Sequence, residues 1–110
     1  MMKLALSPAA ACLLRSLLAR AGVNRDRILL TEFRSTDWQS LTFMGERHEM
    51  ELRVPGPDAE ALVDRLTSRL AEDEFAIPGQ IVADIGLERP PSRNPDGSFT
   101  LNIEALTIAE

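Results

Sequence analysis

Residues that carry chemistry are scarce in this chain. It has one cysteine, one histidine, one tryptophan and no tyrosine, and Lys3 is its single lysine. The lone Cys12 excludes an internal disulfide, so the fold must hold by packing alone. Cys12 also has no sequence neighbour that would activate it as a nucleophile or redox centre. Gly-rich phosphate loops, paired cysteines and His-x-x-x-His spacing are all missing, so no cofactor or metal is expected. No apolar run approaches the ~20 residues of a membrane span, and no membrane partner is expected.

A surplus of positive charge is missing too. The formal net charge is −5, whereas a duplex nucleic-acid binder displaces phosphate counterions with a basic stripe. No nucleic-acid partner is expected. The imbalance lies in the second half: residues 1–54 carry a net +2 and residues 55–110 a net −7. Apolar residues intersperse the acidic half, which therefore reads as the solvated surface of a folded unit.

What is present suffices for one domain. The 110 residues correspond to a single α+β domain, 1–110. The 45% hydrophobic and 26% charged fractions match globular averages and argue against wholesale disorder. A single cysteine fits a reducing, cytoplasmic setting. Arginine in place of lysine, with abundant alanine, fits a GC-rich bacterial genome.

Met1-Met2-Lys3 and the apolar residues that follow bear some likeness to a signal peptide, but Pro8 interrupts the run. A helix start is the better reading. Ser7 suits the N-cap and Pro8 the first helical position, giving a helix from about Pro8 to Ala21. Ala10, Leu13, Leu14, Leu17, Leu18 and Ala21 form its apolar stripe. Ala9, Cys12, Ser16 and Ala19 gather on the opposite side, as a second packing face or as plain helix-tolerant surface. A second helix is expected from about Pro57 to Glu72, with Ala59, Leu62, Val63, Leu66 and Leu70 inward. Glu72-Asp73-Glu74 would be a solvated end, and Phe75 and Ile77 are expected to tuck beneath the domain.

Strand patterns fill the rest. Ile28 to Phe33 reads as a short strand and Ser35-Thr36-Asp37 as a turn. Trp38 to Val54 changes parity at Gly45, either through a β-bulge in one bent strand, the preferred reading, or through a Met44-Gly45 hairpin turn. Ile81, Ala83, Ile85 and Leu87 alternate cleanly. The stretch from Pro90 to Gly97 reads as a stiff loop. Phe99, Leu101 and Ile103 alternate again, and the shift to Leu106 and Ile108 suggests a second bulge near Glu104-Ala105. The expected fold is two αββ units forming one mainly antiparallel four-stranded sheet with two helices on one face. Moving its last strand to the front gives βαββαβ, so the order is a permuted ferredoxin-like one.

Apolar residues occupy both parities of these strands, unlike the clean alternation of a half-exposed sheet. The uncovered sheet face, or the small-residue helix face, is thus expected to meet another copy in a homo-oligomer, most simply a dimer. A protein partner is the other candidate. One polar cluster stands out: Asp37 and Trp38 with Glu46, Arg47, His48 and Glu49. On an extended strand Glu46 and His48 share one face, Arg47 and Glu49 the other. Glu46 could raise the imidazole pKa or join it as a metal ligand, but one histidine with carboxylates defines no zinc site. The function expected is a non-catalytic, self-associating module that binds a protein or small ligand. The alternative is a small enzyme or metal-dependent binder built on Glu46, Arg47 and His48 at a subunit boundary.

Overall fold

The computed structural model describes residues 6–22, 24–72 and 75–110. Helix α1 spans Pro8–Arg20 and begins as the sequence implies: the Ser7 hydroxyl accepts the Ala10 N–H at 3.2 Å. Such a cap is worth ~1 kcal/mol. Strands β1 (Leu29–Gln39) and β2 (Met44–Val54) form a hairpin. Helix α2 (Ala59–Thr67) follows, then β3 (Gln80–Leu87), the short β4 (Ser92–Arg93) and β5 (Phe99–Ala109).

All pairings are antiparallel, in the order β1-β2-β5-β3, with β4 on the same flank of β5 as β3. The protein is therefore α+β, its described residues forming two α-helices and a five-stranded sheet. Both helices press on one sheet face. Leu13 and Leu17 of α1, Leu62 and Leu66 of α2, Leu52 of β2, and Leu101 and Ile103 of β5 are almost wholly buried in one cluster. Each such side chain contributes about 2 kcal/mol of burial free energy.

Several local expectations are corrected. Ser35-Thr36-Asp37 lies inside β1, not in a turn. Chain reversal occurs at 40–43, where Ser40 N–H donates to the Phe43 carbonyl at 2.9 Å and the Ser40 hydroxyl accepts the Phe43 N–H at 3.0 Å. Gly45 is accordingly neither the site of a parity-switching bulge nor part of a Met44-Gly45 turn. Its register with Ile108 is continuous with the rest of β2. Leu41 and Phe43, which resemble strand residues, sit in the loop, and Leu41 is fully exposed.

The true irregularities are at Leu30/Glu32 in β1 and Val82/Asp84 in β3. β5 runs straight through Glu104-Ala105: Ala105 and Thr107 continue the buried parity, so Leu106 and Ile108 point to the other face. The Pro90–Gly97 stretch contains β4, which adds a fifth strand to the four expected.

Helix α2 is shorter than its apolar stripe. Ser68 turns extended (ψ 124°) and Arg69 adopts φ 55°, while Leu70 stays buried beyond the helix end. The Thr67 hydroxyl bonds back to the Val63 carbonyl at 2.8 Å, a local competitor of helix continuation. The acidic run continues past Glu72 into Asp73 and Glu74, which lie outside the described residues, as does the start of the signal-like segment, Met1 to Ala5. Ile77 is buried and Phe75 packs against the core, as expected.

Candidate functional site

The six residues of the sequence cluster do not converge. Asp37 stands opposite Glu46, and Trp38 opposite Gly45. Glu46 lies on the helix side of the sheet, where it accepts a hydrogen bond from the Ser7 hydroxyl at 3.0 Å. It thus sits beside the N-terminus of α1, where the helix dipole favours an anion. Glu49 is on the opposite face, 2.5 Å from Arg34 in an exposed ion pair. Arg47 shares that face and has no hydrogen-bond or ion-pair partner among the described residues.

His48 is completely buried. Its Nδ1 lies 2.7 Å from the Ser35 hydroxyl and its Nε2 2.9 Å from the Thr107 hydroxyl, with the Phe33 ring centroid 6.2 Å away. A neutral imidazole offers one donor and one acceptor, and the two hydroxyls can rotate to complement either tautomer. Burial pushes the imidazole pKa below its ordinary value, and the charge of Glu46 opposes that shift. A proton acceptor with both nitrogens engaged and no solvent contact has no route to a substrate.

The direction of this shift predicts a pH dependence. The folded pKa lies below the unfolded value near 6.5, so the neutral form is favoured by folding. Stability is full above pH ~6.5 and falls as pH drops toward the folded pKa. Asp96 is held at about 2, chiefly by the Ser98 hydroxyl and backbone N–H, so it titrates far below this window. The urea midpoint is expected to fall between pH ~7.5 and pH ~5, and His48→Gln to remove most of that fall. An unchanged slope in His48→Gln would place the effect elsewhere.

The small-residue side of α1 is partly covered by the chain itself. Ala9 is buried in the core, the Cys12 thiol lies 3.7 Å from the Ala76 carbonyl, and the Arg20 guanidinium lies 5.9 Å from the Phe75 ring centroid. The sheet face away from the helices, by contrast, has no element of the described residues packed on it, and its side chains form rows across the strands. Glu32, Glu51 and Asn102 make one row, and Arg34, Glu49, Glu104 and Gly86 the next. Then come Thr36, Arg47, Leu106 and Asp84, and finally Trp38, Gly45, Ile108 and Ile81. The face therefore grades from charged to apolar toward the 40–43 loop.

Sequence reasoning missed Asp84, Leu106, Ile108 and Ile81 as one surface. The signal is present in the sequence as apolar residues of the outward parity in β5, a pattern that a bulge would also produce. Among the described residues no group of three His, Cys, Asp or Glu side chains could hold a metal ion. No helix of the described residues is long and apolar enough to cross a membrane. Comparison with protein-family models, curated proteins and solved structures found no match to this chain.

Proposed function

We propose that this protein is a small non-catalytic α+β module that associates with copies of itself and acts by binding a protein or small ligand. The observation that carries this reading is the uncovered sheet face, whose loop-proximal end presents Trp38, Leu106, Ile108 and Ile81. Beside it Phe43 is more than half exposed and Leu41 wholly so. Contiguous apolar surface of this kind marks interaction sites on folded proteins. Against an enzyme built on Glu46, Arg47 and His48 weighs the dispersal of those residues. One braces a helix start, one faces the open side and one is sealed in the core.

The same reading takes the fold as a circular permutant of the ferredoxin-like order. The support is the strand order β1-β2-β5-β3, which results when the first strand of βαββαβ is carried to the end. That architecture hosts many activities and adds no functional weight. The single thiol and the acidic charge fit a cytoplasmic module with neither nucleic-acid nor membrane partners.

Sedimentation velocity is the direct test. At about 100 μM the chain is expected to sediment mainly as a species of twice its own mass, with dissociation on dilution. A single monomeric boundary throughout the concentration series would remove the self-association reading.

A further inference from the structure

We infer that the partner on the open sheet face is a second copy of this chain, related by a two-fold axis running along β5. This inference rests on the self-association reading above and specifies its surface. Two rows of the face are self-complementary about β5. In the first, Arg47 on β2 and Asp84 on β3 flank Leu106, so the order across three strands is cation, apolar, anion. A two-fold axis through Leu106 sets each Arg47 over the other copy's Asp84, forming two identical ion pairs around a Leu106–Leu106 contact. Within one chain neither charge has a hydrogen-bond or ion-pair partner among the described residues. The other arginines on or beside this face, Arg34, Arg53 and Arg89, are paired with Glu49, Asp96 and Glu88.

The next row repeats the logic in shape. Gly45 on β2 and Ile81 on β3 flank Ile108. The same axis lays the half-exposed Ile81 of one copy over the side-chain-free Gly45 of the other. Toward the charged end, Gly86 of β3 would lie beneath the other copy's Glu49 and its Arg34 partner. A Cβ at Gly86 would meet nothing within 4 Å, and its φ is not in the left-handed region, so the chain by itself does not require glycine there. A glycine inside a strand commonly marks close approach by another chain or ligand.

Area and charge favour this occupant. Leu41, Phe43 and Ile81 are each more than half exposed, and Trp38, Leu106 and Ile108 adjoin them. A standard interface takes ~800 Å² from each partner, and these apolar side chains would form its centre. Aligned sheets pack about 10 Å apart at roughly −30°, so contact centres on the Leu106 row and extends to its neighbours on either side. Glu104 meets its own copy near the axis and limits how far the contact extends. A net charge of −5 and carboxylates at Glu32, Glu49, Glu51, Glu88 and Glu104 disfavour an anionic lipid or nucleic acid as occupant.

Charge reversal tests the arrangement. Sedimentation velocity would be run on the wild type, Arg47→Asp, Asp84→Arg and the double variant, with thermal unfolding by circular dichroism to verify folding. Each single reversal is expected to weaken the dimer at least ~10-fold, and the double variant to recover most of that loss. Glu104→Gln is expected to tighten the dimer several-fold. A dimer indifferent to both single reversals, or a double variant as weak as the singles, would overturn this interface and leave self-association standing. A wild type that stays monomeric up to about 100 μM would overturn both. A monomer that co-sediments with phosphatidylcholine vesicles would assign the face to lipid and overturn the proposal as well.

Discussion

Gly45→Ala is expected to destabilise the fold by about 3 kcal/mol, near the upper end for an inserted methyl group, because the clash is with backbone. A Cβ at Gly45 would stand 2.0 Å from the Thr107 carbonyl oxygen and 3.1 Å from the Ile108 Cα. No rotamer change relieves such contacts. The strands must separate, and the separation falls beside the Thr107 side chain that bonds His48. Denaturant titration measures the loss, and a weakened His48–Thr107 contact should show as a changed imidazole signal by NMR. A midpoint within experimental error of wild type would mean that β2 and β5 do not approach this closely at Gly45.

Leu101→Ala is expected to cost about 3–4 kcal/mol. Leu101 is fully buried on β5, next to Leu52 of β2, in the cluster that both helices cover. Truncation removes its transfer free energy and leaves a cavity that a central strand, held on both flanks, cannot collapse. For a domain whose total stability is of the order of 5–15 kcal/mol, this is a large fraction. The check is a urea unfolding curve with unchanged slope and a lowered midpoint. A loss below ~1 kcal/mol would show that the core is loose enough to refill.

These two sites differ in how far the sequence announces them. Leu101 is legible from alternation alone, since Phe99, Leu101 and Ile103 repeat every second residue. Gly45 is not, because a glycine between two polar stretches fits a bulge, a turn or a close strand contact equally well. The deciding fact is the position of Thr107, sixty-two residues away in sequence and adjacent in space. The hairpin at 40–43 was hidden for a related reason. Leu41 and Phe43 carry strand-like side chains, while Ser35 and Thr36 look like turn residues until His48 and the β2 register supply their partners.

The candidate cluster shows the same limit. Alternation correctly separated Glu46 and His48 from Arg47 and Glu49. It could not tell that Ser7 would claim Glu46, or that Ser35 and Thr107 would enclose His48. Those partners come from α1, β1 and β5, and each bond depends on where the sheet lies relative to the helices.

By itself the sequence determined the periodic content: two helices, antiparallel strands, a core of aliphatic side chains, and a net negative charge. Those properties are local or summed, and a single chain of side chains carries them in full. Tertiary structure alone decided the strand order, the loop that receives Leu41 and Phe43, the burial of the only imidazole, and the alignment of Arg47, Leu106 and Asp84 in one row. Apart from the loop, each of these joins residues distant in sequence. Pairing register places them together, and no pattern of neighbours along the chain encodes that register.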